Sequence, residues 1–204
     1  MSYLLRHGTR YLLRLLRSAY MKRCLPWMSM GSAVSFGTNV YVRCPHRVSV
    51  GDGVVFGSNI EINNAETSTL TIGSGSEIGS GTFLTINGNG RLVIGHNTKI
   101  NKYNMVSCNN LICVGNYTMT AAFCHILDAN HGMKRGEIMR RQHKLCHETH
   151  IGDDVWIGSN CVILAGSCIG KGVVVGAGSV VMGRLDNYGI YAGNPAVKKK
   201  ERTD

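Results

Sequence analysis

A six-residue beat runs through most of this chain and constrains its fold more than any other feature. Ile151, Ile157, Ile163, Ile169, Val175 and Val181 form an unbroken series, with glycine directly after the beat at 152, 158, 170 and 176. The same frame holds for Val50, Phe56 and Ile62, for Ile72, Ile78 and Leu84, for Ile94, Ile100 and Val106, and for Val114, Thr120 and Ile126. Met28, Val34 and Val40 make the expected first set, and the starts at 28, 50, 72 and 94 lie 22 residues apart. Three faces of six residues therefore leave a four-residue excursion at one corner of each turn. A helix repeats at about 3.6 residues and an amphipathic strand at two, so neither explains the beat. A triangular solenoid does. Each short strand points an aliphatic residue inward and the chain then bends round a corner, where small residues such as Gly51, Gly73, Gly95, Gly152 and Gly170 are wanted. Stacked turns pair their backbones and bury their aliphatic columns against one another.

Composition agrees. With 204 residues and 44% hydrophobic content, the chain supports one domain with a substantial core. Its 26 glycines, 3 prolines and 7% aromatics disfavour collagen, disorder and an aromatic-rich sandwich. The 8 cysteines include no CxxC pair, and no secretory leader precedes them, so reduced thiols in a cytoplasmic protein are expected. The net charge of +10 gathers at the two ends, Arg6 to Arg23 and Lys198 to Arg202. No basic run with interleaved aromatics lies between them, which argues against nucleic acid. No apolar run approaches the ~20 residues that span a bilayer.

The beat stops once. After Ile126 it is due at 132 but returns at Ile151, so 19 residues are inserted, holding His131, His143, His147 and His150. A loop of this length in a compact solenoid is usually functional or disordered. Histidine, with a free pKa near ~6.5, suits a loop that must take a proton from a poor nucleophile. For His143, His147 and His150 a solvated position is the better reading, and for His125, beside the Ile126 beat, a corner or packing role stands at least level with catalysis.

The segment "IGDDVWIGSNCVILAGSCIGKGVVVGAGSVV" (151–181), followed by "YAGNPA" (191–196), resembles the hexapeptide-repeat acyltransferases, in particular bacterial sugar and surface-polysaccharide O-acetyltransferases. The likeness covers about residues 28–186 and is tightest over 126–196. It implies an all-β, left-handed parallel β-helix, a homotrimer, and acetyl-CoA meeting a sugar or polysaccharide acceptor between subunits, with no metal. Asp128, Asn130, His131 and Gly132 match the family's D-x-N-H-G form, which implies His131 as general base, oriented by Asp128 or Asn130. The resemblance further implies the Ser159 backbone N–H as an oxyanion donor. Trp156 reads either as a ring at the acceptor or as a corner aromatic packed under the loop. Ala177 and Gly178 would lie along the pantetheine arm, with Ala165 and Gly166 lining the same groove one turn earlier. The charge of Lys198 and its neighbours suits the nucleotide phosphates and equally suits a solvated basic tail, and Arg184 is a further candidate for a phosphate contact. Many relatives read Thr-Lys where this chain has Met182-Gly183, which puts a polar contact there in doubt.

The expected layout is an amphipathic helical cap over 1–26, the β-helix over 27–186 with its loop at 127–150, and a basic tail over 187–204. In the first segment Leu4, Leu12, Leu15, Leu16 and Ala19 share one helical face and Arg6, Arg10, Arg14 and Arg17 the opposite one. Capping of the open solenoid end, contact with the cytoplasmic face of a membrane, and organelle import all fit that pattern. Amino-sugar N-acetylation, antibiotic acetylation, a carbonic-anhydrase-like zinc site and a non-catalytic scaffold remain rival readings on the same solenoid.

Overall fold

The computed structural model describes residues 28–203 together with Leu13, Leu16, Arg17, Ala19, Tyr20, Met21, Arg23, Cys24 and Leu25. Short strands follow one another in threes, and each member of a trio joins a different parallel sheet. The first face stacks Ser29–Met30, Val48–Val50, Thr69–Ile72, Arg91–Ile94, Leu111–Val114, Thr149–Ile151, Cys168–Ile169 and Arg184–Leu185. The second stacks Ser35–Phe36, Val55–Phe56, Glu77–Ile78, Lys99–Ile100, Met119–Thr120, Trp156–Ile157, Val174–Val175 and Gly189–Ala192. The third stacks Val40–Val42, Ile60–Asn64, Phe83–Ile86, Met105–Cys108, His125–Leu127, Val162–Ile163 and Val180–Val181. This is the three-sided β-solenoid that the beat demands.

Register turns each beat residue into part of a column. Val50, Ile72, Ile94, Val114, Ile151, Ile169 and Leu185 pair in succession on the first face. Phe56, Ile78, Ile100, Thr120, Ile157, Val175 and Tyr191 do so on the second. Ile62, Leu84, Val106, Ile126, Ile163 and Val181 do so on the third. All of these side chains are buried. Thr120, the polar member, accepts the Asn101 N–H at 3.2 Å through Oγ1. Between the first and second faces, the Ser76, Thr98 and Thr118 hydroxyls donate to the Gly95, Gly115 and Gly152 carbonyls of the next coil. These buried hydroxyls therefore keep their partners, whereas the Asn64 Nδ2 amide has none among the described residues.

The first set differs from expectation. Met30, Phe36 and Val42, not Met28, Val34 and Val40, pair with Val50, Phe56 and Ile62. Strand side chains alternate, so positions two apart point the same way and both sets are apolar. The excursion between Val42 and Val50 is two residues shorter than that between Ile62 and Ile72, which shifts the frame.

Those excursions all fall where the third face turns into the first. The turn Pro45–Arg47 sits there in the first coil. The 19-residue insertion occupies the same corner one coil after Asn109 and Asn110, between His125–Leu127 and Thr149–Ile151.

The ends also differ from expectation. Residues of the basic tail form the strand Val197–Glu201, which pairs antiparallel with Gly189–Ala192 and closes the last coil. The solenoid thus runs past residue 186. At the other end the described residues between Leu13 and Cys24 are helical, and Leu4, Leu12 and Leu15 lie outside the described residues. Leu16 and Ala19 are exposed, whereas Met21 and Leu25 pack against the solenoid core. Among the described residues no helix is long and apolar enough to cross a membrane, and all eight cysteines are free thiols.

Leu84 is fully buried in the middle of the third-face column. Leu84→Ala is expected to lower unfolding stability by about 2–5 kcal/mol, because a rigid stack cannot close round the cavity. Urea unfolding followed by circular dichroism measures it.

Candidate active site

The insertion leaves the solenoid as a hairpin. Ala129–His131 pairs antiparallel with Lys144–Cys146, with Ala129 opposite Cys146, Asn130 opposite Leu145 and His131 opposite Lys144. Asn130 and His131 are exposed on it. The Gly132 N–H donates to the His143 carbonyl at 3.1 Å, continuing the pairing one step. His143 and His147 are exposed, and Nε2 of the half-buried His150 lies 3.1 Å from Oε2 of Glu148.

Asp128 roots this hairpin. Ile126 points inward, so by strand alternation Asp128 points inward too, and its side chain is fully buried. A buried carboxylate must be hydrogen-bonded. Here Oδ1 accepts the Asn109 N–H at 2.8 Å and Oδ2 accepts the Asn110 N–H at 2.7 Å, both from the coil before. The neighbouring Cys108 thiol lies 3.5 Å from Oδ2. Burial, then this carboxylate, pushes that thiol up to about 12. The backbone of the same segment is tied down as well. The His147 N–H donates to the Asp128 carbonyl at 2.8 Å, and the Thr149 hydroxyl to the Leu127 carbonyl at 2.9 Å. The expectation that Asp128 orients His131 is therefore corrected: the carboxylate's partners are the amides of the coil below, and the imidazole is not among them.

His125 lies on the outer side of the third face, half-buried, with Nε2 at 3.4 Å from the Ser107 hydroxyl. Burial pushes its pKa down.

The remaining site residues divide between two corners. Gly158-Ser159 and the Gly176-Ala177-Gly178 turn stack where the second face meets the third, and the Gly178 N–H donates to the Ser159 carbonyl at 2.8 Å. Ala165 and Gly166 lie instead where the third face meets the first, against the root of the hairpin. The Gly166 N–H reaches the His147 carbonyl at 3.3 Å. The expectation that they line one groove with Ala177 and Gly178 is thus not met. Residues twelve apart are two faces apart on a triangle, and the groove one turn before Ala177 is at Ser159.

At the second corner the column decides which amides are capped. The Thr38 N–H donates to the Ser58 hydroxyl at 3.0 Å, and the Ser58 N–H to the Ser80 hydroxyl at 3.0 Å. Above Ser159 stands Ala177, against whose backbone nitrogen a Cβ at Gly158 would lie at 2.5 Å. Alanine offers no acceptor, so the Ser159 N–H has no partner among the described residues. The next position, Gly178, has φ +71°, and a Cβ built there meets nothing within 4 Å, so this corner is open on its outer side.

Trp156 lies outward on the second face, 50% exposed, between Met119 and Val174. It does not pack under the loop, which leaves from another corner. Arg184, outward on the first face, pairs with Asp186 at 3.3 Å. Lys198 lies on the closing strand, and the Glu201 carboxylate beside it pushes its pKa up. Within one chain, then, His131 stands off one edge of the third face, while Ser159, Ala177 and Gly178 line the other. Among the described residues no group of three or more His, Cys, Asp or Glu side chains is arranged to hold a metal ion.

Residues 148–183 match the model described as "Bacterial transferase hexapeptide (six repeats)". The chain is 35% identical over 136 residues to the putative lipopolysaccharide biosynthesis O-acetyl transferase WbbJ of Escherichia coli K12, covering 62% of this chain and 69% of that protein. The chain belongs to the hexapeptide-repeat acyltransferases. It is also 48% identical over 54 residues to a chloramphenicol acetyltransferase of Klebsiella aerogenes, covering 26% of each chain. The structure of AntD, an N-acyltransferase from Bacillus cereus in complex with dTDP and 3-hydroxybutyryl-CoA, matches with a TM-score of 0.57 at 22% identity, covering 91% of this chain and 88% of that one. That likeness shows the solenoid architecture of this acyltransferase.

Replacing Asp128 by alanine leaves two part-buried amides without their acceptor. Asp128→Ala is expected to cost about 2–4 kcal/mol and to speed amide hydrogen exchange at Asn109, Asn110 and along the hairpin, with the rest of the coils protected. Exchange resolved by mass spectrometry checks it.

Proposed function

We propose that this acyltransferase is an O-acetyltransferase that moves the acetyl group of acetyl-CoA to a sugar hydroxyl of a surface polysaccharide or its precursor. The observation that carries the reading is the rooted hairpin. A loop held at its base by a buried carboxylate and several backbone bonds carries an exposed histidine outward at a defined place. In this reading the β-helix is left-handed, and the assembly is a homotrimer in which one copy's hairpin meets the small-residue corner of its neighbour. The division of His131 and Ser159 between separate edges of one chain supports that arrangement. So does the exposed apolar pair Phe83 and Met105, adjacent on the third face, since such patches commonly mark contacts between chains.

His131 takes the acceptor hydroxyl proton as oxygen attacks the thioester carbonyl carbon, and returns it to the departing thiolate as the carbon–sulfur bond breaks. Asn130, exposed beside it, takes the orienting role in place of Asp128. The uncapped Ser159 N–H donates to the oxyanion of the tetrahedral intermediate. The open Gly176-Ala177-Gly178 corner gives the pantetheine arm a surface without projecting side chains, and Trp156 offers an exposed ring to the acceptor. Lys198 and Arg184 lie towards the last coils, where the nucleotide phosphates would extend. An apolar N-terminal face at a membrane surface is compatible with the same role.

His131→Ala is expected to lower turnover by roughly 10²–10⁴-fold while keeping the circular dichroism spectrum and the affinity for CoA. A thiol-release assay over candidate sugar hydroxyls, with amino sugars and chloramphenicol as competing acceptors, measures it, and near-normal turnover would end the assignment. Ala177→Ser tests the oxyanion donor separately. Its hydroxyl would cap the Ser159 N–H as Ser80 caps Ser58, and turnover should fall by roughly 10²-fold in a folded protein.

A further inference from the structure

The tip of the hairpin is built for display. Gln142, half-buried at the neck, accepts the Lys134 N–H at 2.7 Å and donates to the Lys134 and Glu137 carbonyls at 3.0 and 3.1 Å. The turn Met139–Arg141 is closed by the Arg141 N–H to the Ile138 carbonyl at 2.9 Å. What this framework holds out is apolar. Met133 is 72% exposed, Ile138 62% and Met139 56%. Large side chains so exposed on an ordered turn represent buried-surface free energy not yet collected.

The charges around them are predominantly basic, with Glu137 the acidic member of the tip. Lys134 pairs with Glu137 at 2.6 Å. Arg135, Arg140 and Arg141 have no acidic partner among the described residues, and all three are exposed. Lys144, whose Nζ lies 2.8 Å from Oδ1 of Asn109, stands at the hairpin base. Apolar side chains ringed by unpaired guanidinium groups fit a surface with an anionic layer outside an apolar one. An anionic bilayer has that order: phosphates outside, acyl chains within.

We propose that the hairpin tip docks on an anionic lipid bilayer, with Met133, Ile138 and Met139 entering the headgroup–acyl boundary and Arg135, Arg140 and Arg141 on the lipid phosphates. The contact is separate from residues 1–23 and independent of turnover, so it stands or falls apart from the proposed chemistry. It would hold the base of the hairpin, and the chemistry proposed there, close to acceptors at that surface.

The experiment is flotation of the full chain with vesicles of phosphatidylethanolamine and phosphatidylglycerol at 7:3, against vesicles of phosphatidylcholine alone. Two double variants are compared with the parent, Ile138→Glu with Met139→Glu and Arg140→Glu with Arg141→Glu. The expected result is binding to the anionic vesicles only, lost on raising salt for the parent. Each double variant should lower the partition coefficient by at least roughly tenfold. Folding is checked by circular dichroism, and Arg140→Gln with Arg141→Gln serves as a milder pair that should weaken binding in the same direction. Equal binding to both vesicle types would overturn the proposal. So would variants that float like the parent, which would assign lipid binding to another segment. A tip variant that instead changes the oligomer size in sedimentation would show that a second copy covers the tip, and would overturn it also.

Discussion

Neighbouring coils are locked at one strand spacing, about 4.8 Å, by parallel backbone bonding that repeats on three faces, and the rest of the structure follows from that closeness. At the glycine positions of the corners the separation leaves no room for a side chain facing the next coil. A Cβ on Gly79 would lie 2.5 Å from the Asn101 carbonyl carbon. Along the faces the same spacing makes every residue the neighbour of its counterparts above and below. Properties therefore run in columns: aliphatic inside, hydroxyls against corner carbonyls, and at one corner serines that cap the amide of the coil beneath. A change at one position is felt by the coil next to it rather than across the molecule.

Much of this was legible in the sequence because the solenoid writes one coil after another. The beats named the columns from Val50 onward, the insertion stood out as the one long break, and the corner glycines fell into frame. What was less legible depends on relations between coils. The first set slipped to Met28, Val34 and Val40 because inward positions two residues apart are both apolar, and only pairing reveals which one opposes Val50. Asp128 read, with Asn130, as a candidate partner for His131 because the D-x-N-H-G form of the resembling family holds all three. Its side chain is instead governed by alternation from Ile126 and by the amides of Asn109 and Asn110, a contact nearly twenty residues distant in sequence. Ala165 and Gly166 looked equivalent to Ala177 and Gly178 in composition, yet a triangle sends them to different corners. The basic tail carried no alternation to mark it, and became a strand because the last coil left Gly189–Ala192 with an edge to pair.

Rigidity and reach are divided between parts of the chain. The coils hold backbone amides such as that of Ser159 in fixed directions, which suits a donor that must wait for charge to develop. The hairpin holds an exposed histidine off the coils, which in the proposed chemistry would let a base meet substrates away from its own coil. Asp128 joins the two. It transmits the order of the stack to a segment that has only a single antiparallel pairing and a glutamine-braced turn of its own.

The corner where the third face becomes the first already tolerates detours of unequal size in successive coils. Lengthening a detour there leaves all three sheets unbroken and adds only a slowly growing closure entropy, about 0.6 kcal/mol for each doubling. That seam is accordingly a natural socket. Chains of this architecture can exchange what they hold out there, in length and in chemistry, without renegotiating the stack that carries it.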